Sequence, residues 1–410
     1  MKFHRKTGNR WRLALPLVVI CACAVAAGTA FGAPAQKHAT ELTMLVGSSG
    51  PAETNAVNVA ASAWSKKTGI KVNVIIASDE GQQLAQGFAS GNPPDVFNLG
   101  NDQVATYVAA GDLAPLDTLK NRKAFYPSLR AAYTVKGHLY GAPKDFSTLG
   151  LIINTASWKA AHLGAKSYPT TWAQLASVAK KLTRNGQVGL CTNPEFHRLG
   201  VFMVESGGWL LSKNNKTATV NSAANVKAFN FVKTMLGNGS MKLTNQLGVG
   251  WGGEGFGKQM CAMTIEGNWI AGAMKSDYPT VGYKVVQLPK GPKSLGTLQY
   301  DGGWSLAAAS KDKANAMSLI TFLTSPGVEL GNAKAFGVMP SVVSAKKKWL
   351  KLYPQWANFL AGADYSKSIP PVDKITTVLG DFNTQLQALP TTSPKTILDR
   401  INSELQAILG

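Results

Sequence analysis

The stretch KGHLYGAPKDFSTLGLIIN, residues 136–154, reads as a strand that crosses between two lobes and belongs wholly to neither. Gly141 and Pro143 rule out a helix interior, since proline removes a backbone donor and clashes with the preceding turn. The apolar run Leu149, Leu151, Ile152 and Ile153 that follows suits a strand becoming fully buried. Lys144 and Asp145 stand where that order begins, and at a lobe junction they would face a crevice of the kind that holds small molecules. The same residues also suit an ordinary loop entering a buried strand.

Working outward, the upstream half alternates strand and helix. Residues 41–47 read as a strand, 52–68 as a helix closed by Gly69, 70–76 as a strand, 80–89 as a helix and 95–99 as a strand. That order implies a parallel sheet, whose ligand loops lie beyond the carboxyl ends of the strands. Ser48, Ser49, Asn101 and Asp102 occupy those loops. Downstream, Thr171 opens a helix to Leu182, residues 188–192 and 260–265 read as short strands, and residues 287–292, with two prolines and a glycine, mark a second crossing before a strand at 303–308. The C-terminal third is helical, with Ser393 and Pro394 opening a last helix whose Ile397, Leu398, Ile401, Leu405 and Ile408 share one face. At 410 residues the chain exceeds one compact core and predicts two α/β domains with interleaved segments.

A hydrophobic fraction of 45% against 16% charged residues describes a globular protein and excludes disorder. Lys2, Arg5, Lys6, Arg10 and Arg12 precede an apolar run at residues 13–27 and then small residues, the pattern of a secretory signal over residues 1–35. Cys23 offers a weak lipid-attachment box within it. Removing that leader takes the formal charge from +20 to +15. The lysines are dispersed and no nucleic-acid motif accompanies them, so attraction to an anionic cell envelope or solubility explains the charge better than nucleic acid does. Cys191 and Cys261 remain beyond the leader; they allow one disulfide or two buried thiols, and neither has metal-site spacing.

Catalytic signals are poor. Residues 248–258, GVGWGGEGFGK, mimic a phosphate loop, but Gln259 stands where a metal-binding Ser or Thr belongs, and the run reads as a loop carrying Trp251 toward a cleft. No nucleophile elbow, metal cluster or cofactor motif is present in the sequence. What recurs is an aromatic beside polar groups at element ends: Phe196 with Glu195, Trp251 with Glu254, Trp269 with Glu266 and Asn268, and Trp304 with Asp301 after Tyr300. Sugar rings offer apolar C–H surfaces to such aromatics and hydroxyls to such carboxylates. Each aromatic taken singly suits a core role equally well.

Five segments together resemble a family: residues 93–117 (PPDVFNLGNDQVATYVAAGDLAPLD), 139–154, 168–182 (YPTTWAQLASVAKKL), 257–269 (GKQMCAMTIEGNW) and 288–325, from LPKGP to LITFLTS. The chain is similar to the extracellular solute-binding proteins of bacterial ABC importers, in the sugar-binding group that includes maltose-binding protein. The resemblance implies a type II periplasmic-binding-protein fold. Each lobe is then a mainly parallel sheet flanked by helices, with residues 36–145 and 293–338 forming an N-lobe and 146–292 with 339–410 a C-lobe. It implies a monomeric exported receptor with no cofactor and no catalysis, a carbohydrate ligand in the cleft, and ABC permease transmembrane subunits as partner. By motif, Trp269 would stack on sugar with Phe196 beside it, Asn101 and Asp102 would come from the first lobe, and Lys144 and Asp145 from the hinge. Glu195 stands where maltose-binding proteins place an aromatic and Asn193 where they place an acid, so maltodextrin specificity does not follow. A phosphorylated polyol or other anion is the second ligand class, and a secreted glycosidase the alternative from another class.

Overall fold

The computed structural model describes residues 41–48 and 50–410. The leader, Cys23 and Ser49 therefore lie outside the described residues.

Two mixed sheets organise the chain. In the first, Glu41–Gly47 pairs in parallel with Lys71–Ala77 and with Val96–Gly100. Helix Pro51–Thr68 joins the first two of these strands, with proline in its first turn and Gly69 at φ 77° ending it. Helix Glu80–Ala89 is capped by Asp79, whose carboxylate accepts from the Gln82 amide at 2.9 Å. The long strand Thr297–Leu306 then runs antiparallel to Val96–Gly100 on one side and to Gly141–Thr148 on the other. The second sheet orders its strands as Tyr283–Val286, Gly150–Asn154, Cys261–Glu266, Val188–Thr192 and Met241–Leu243. Its last three are parallel, and the first two join antiparallel.

The chain passes from one sheet to the other inside the stretch that opened the sequence reading. Gly141–Thr148 belongs to the first sheet and Gly150–Asn154 to the second, with Leu149 between them. Thr297, at the head of the returning strand, locks that point: its hydroxyl accepts from the Leu149 amide at 3.0 Å and donates to the Leu149 carbonyl at 3.1 Å. The returning strand starts at Thr297, six residues before the expected 303, because Gly302 and Gly303 form a bulge within it rather than its beginning.

Each sheet has its own apolar core. Leu42, Met44, Trp64, Phe97, Trp304 and Ile320 fill the first; Ile153, Phe196, Phe202, Met263, Phe382 and Leu398 fill the second. A third cluster, with Phe146, Ile152, Met339, Trp349 and Phe359, lies where the crossing strand turns between them. The last helix, Pro394–Leu409, buries Ile397, Leu398, Ile401 and Leu405 in the second core. Within the helical C-terminal third, Pro354 starts a 3-10 turn, Pro354–Trp356, that separates helices Lys346–Leu352 and Ala357–Ala361. Cys191 and Cys261 are bonded, joining the strands Val188–Thr192 and Cys261–Glu266. Among the described residues no helix is long and apolar enough to cross a membrane.

Candidate functional site

A cavity of about 530 Å³ lies where the two sheets approach. The first sheet supplies Gly47, Ser48, Ser78 and Asn98, on its strands or just beyond their ends, and the helix-start acids Glu53 and Glu80. The crossing strand contributes Lys144, Asp145 and Ser147, and the returning strand Tyr300 and Asp301. From the second sheet come Asn268 and Trp269, and Phe336 and Gly337 close one end from the terminus of helix Pro326–Phe336.

Trp269 stands at the cap of helix Ile270–Ser276, three residues past strand Cys261–Glu266. Its indole Nε1 donates to Glu266 Oε2 at 2.8 Å. The Arg198 guanidinium sits 5.0 Å from the Trp269 ring and 5.2 Å from that of Tyr300, within cation–π range of both. Trp269 and Tyr300 meet edge to face at 4.8 Å between centroids. Arg198 Nη2 donates to Glu266 Oε2 at 2.8 Å, Nη1 pairs with Glu195 at 3.2 Å, and Nη1 also reaches the Tyr300 hydroxyl. Burial raises the Glu266 carboxyl above its ordinary value, against the pull of Arg198. Burial and then Arg198 lower the neighbouring His197 to about 4, so its imidazole is neutral at neutral pH. The two aromatics are thus held from behind by a buried cation and its carboxylate.

Much of the remaining lining is acidic. Lys144 Nζ bonds Glu53 Oε1 at 2.9 Å and also the adjacent Asp145 carboxylate. Burial opposes the Lys144 charge, but Asp145 and Glu53 outweigh it and keep the ammonium protonated. Glu80 accepts from the Gly47 amide at 2.7 Å and from Asn98 Nδ2 at 3.3 Å, while burial pushes its carboxyl up. Asp301 accepts from Gln299 Nε2 at 2.8 Å; burial pushes it up to about 7, against hydrogen bonds from Gln299 and Tyr133. Asn268 fixes the floor, its amide donating to Ser147 Oγ at 3.0 Å and its Nδ2 to the Gly337 carbonyl at 2.9 Å.

Of the residues singled out in sequence, Ser48, Lys144, Asp145, Trp269 and Asp301 line this cavity. Glu266, fully buried, stands behind Trp269, and Glu195 stands on Arg198. Phe196, Trp304, Trp251, Asn101 and Asp102 do not line it. Phe196 is fully buried and packs against Phe382 from a C-terminal helix, because it is the first residue of helix Phe196–Ser206 and turns inward. Trp304 is 2% exposed in the first core, on a strand with neighbours on both sides. Trp251 caps a short helix, Gly252–Gly257, where a loop was expected; its indole lies over Gly253 and joins the third cluster. Asn101 and Asp102 belong to the turn after Val96–Gly100 but not to the cavity wall. Glu53, Glu80, Ser147 and Phe336 line the wall without having been marked in sequence. For the two glutamates the available signal was an acid in a helix first turn, which the helix dipole explains without a ligand.

The model of the bacterial extracellular solute-binding proteins matches residues 48–330. The chain belongs to that family. Among relatives of this solute-binding protein, the diacetylchitobiose-binding protein of Streptomyces coelicolor is 26% identical over 364 residues, covering 78% of this chain and 84% of the relative. The cyclic alpha-maltosyl-1,6-maltose binding protein of Arthrobacter globiformis superposes with a TM-score of 0.79 at 18% identity, over 90% of this chain and 98% of that one. A Mycobacterium tuberculosis protein solved with glycerophosphocholine superposes at 0.76 and 19% identity, over 90% and 98%. These likenesses establish the fold of the solute-binding protein as the two-lobed type II periplasmic-binding-protein architecture. Among its described residues no cluster of His, Cys, Asp and Glu is arranged to hold a metal ion.

Proposed function

We propose that this protein captures a carbohydrate in the cavity between its sheets and delivers it to a membrane permease of the ABC type, without chemical change to the sugar. The observation that carries this reading is that one cavity is lined both by the paired rings of Trp269 and Tyr300 and by the polar groups of Ser48, Glu80, Asn98, Asp145 and Asp301. An aromatic wall accommodates the C–H surface of a pyranose, and carboxylate and amide oxygens accept from its hydroxyls. The diacetylchitobiose-binding relative supports a saccharide as the ligand class. Ligand contacts drawn from both sheets would exist together only when the lobes close, so binding would shift the population toward the closed state.

A phosphorylated polyol is the second reading, favoured by the charge of +20 and by the glycerophosphocholine neighbour. The cavity itself opposes it: Glu53, Glu80, Asp145 and Asp301 line the wall against a single lysine, Lys144, that two of them already occupy. Delivery from an exported position, with or without acylation at Cys23, belongs to the same proposal.

A thermal-shift panel of mono- and oligosaccharides, polyol phosphates and amino acids tests it. A ligand at one hundred times its dissociation constant adds about 2.7 kcal/mol of stability. Stabilisation by saccharides is the expected result; stabilisation by phosphates alone would replace this reading with the second.

A further inference from the structure

The charges of the cavity are unbalanced in a way that a neutral sugar does not correct. Lys144 is shared between Glu53 and Asp145, and that triad alone is left with one negative charge. Glu80 is held by an amide N–H and a carboxamide, Asp301 by a carboxamide and the Tyr133 hydroxyl, and among the described residues neither forms an ion pair. Arg198, beside the aromatics, is committed to Glu266 and Glu195. A chain with nearly twice as many basic as acidic residues, 42 against 22, has thus gathered acids and one base around this cavity. Closing lobes over ionised carboxylates removes water from them, which costs free energy that a hydroxyl hydrogen bond offsets only in part and an ammonium partner offsets more fully.

Resting on the carbohydrate reading, we propose that the preferred ligand is a cationic saccharide bearing a free amine, with the ammonium received between Glu80 and Asp301. Burial raises both carboxyls, so ionising them in the cavity is costly unless a positive charge accompanies them. N-acetylation removes the charge that the site selects, and a phosphate adds the wrong one.

The test is calorimetric titration of the full mature chain at neutral pH with three β-1,4 disaccharides of one shape: chitobiose with free amines, its diacetylated form, and cellobiose. Chitobiose is expected to bind at least tenfold more tightly than the other two. The isosteric variants Glu80→Gln and Asp301→Asn should each shrink that ratio, and thermal melts establish that they fold. Equal or tighter binding of cellobiose or diacetylchitobiose overturns the inference and leaves the carbohydrate reading standing. Binding of none of the three overturns it as well, and the wider saccharide panel then decides the carbohydrate reading separately. A ratio unchanged in both variants places the discrimination elsewhere and likewise overturns the assignment.

Discussion

Arg198 holds its guanidinium 5.0 Å from the Trp269 ring, and both residues bond the same buried oxygen, Oε2 of Glu266, at 2.8 Å. Arg198 comes from the second residue past Phe196 on one strand-end helix, and Trp269 from the turn after a neighbouring strand. Their common anchor sets the tilt of the indole that forms one cavity wall.

Replacing Arg198 by Ala leaves Glu266 buried without its cation, a loss of the order of 3–5 kcal/mol in a urea denaturation curve. Arg198→Lys restores the charge but not the planar fork that serves Glu266, Tyr300 and both rings, so it should recover stability only in part. The near-ultraviolet circular dichroism of the indoles should change in both variants. A variant as stable as the parent with an unchanged spectrum would remove Arg198 from its positioning role.

Gly267 is the second element of that wall. A Cβ built there would lie 2.2 Å from the Trp269 ring, closer than any real contact, and the ring cannot yield without breaking its bond to Glu266. Gly267→Ala is expected to lower ligand affinity by about tenfold or more, about 1.4 kcal/mol. Titration with the best saccharide of the panel measures this, and parental affinity would show that the indole setting is immaterial.

Glu205 makes the stability of the second lobe depend on pH. It is fully buried, its carboxylate accepting from the Trp172 indole, and burial raises it well above its ordinary range. The unfolded chain ionises this group near the usual glutamate value. Above that point the unfolded state binds fewer protons than the folded one, so stability falls as pH rises toward the folded value. Glu205→Gln cannot ionise, and its stability relative to the parent should therefore increase from about pH 5 to about pH 8. Parallel denaturation curves at those two values decide it; a constant difference would mean that Glu205 is not protonated in the fold.

Much of this architecture was legible in sequence because it rests on local rules. Glycine and proline at 141 and 143 followed by four apolar residues announced the crossing, and the observed switch of sheets falls at Leu149 within it. Trp269 was legible because it follows a buried strand through a glycine-containing turn. Phe196 and Trp304 had the same local signature and went the other way, since the residues that bury them, Phe382 for one and the flanking strands for the other, are distant in sequence. Glu53 was hidden for the converse reason: its partner Lys144 is 91 positions away, and only the fold brings them together. Local pattern predicts what a segment forms, and long-range packing selects which side of it meets the ligand.

The most direct test of the central claim is calorimetric titration of the tightest saccharide from the panel against the parent protein and Trp269→Ala. The account predicts saturable binding by the parent, one ligand per chain, and a loss of at least about tenfold in the variant, equivalent to about 1.4 kcal/mol. Parental affinity in a folded Trp269→Ala protein would contradict it and place the ligand outside the cavity between the sheets.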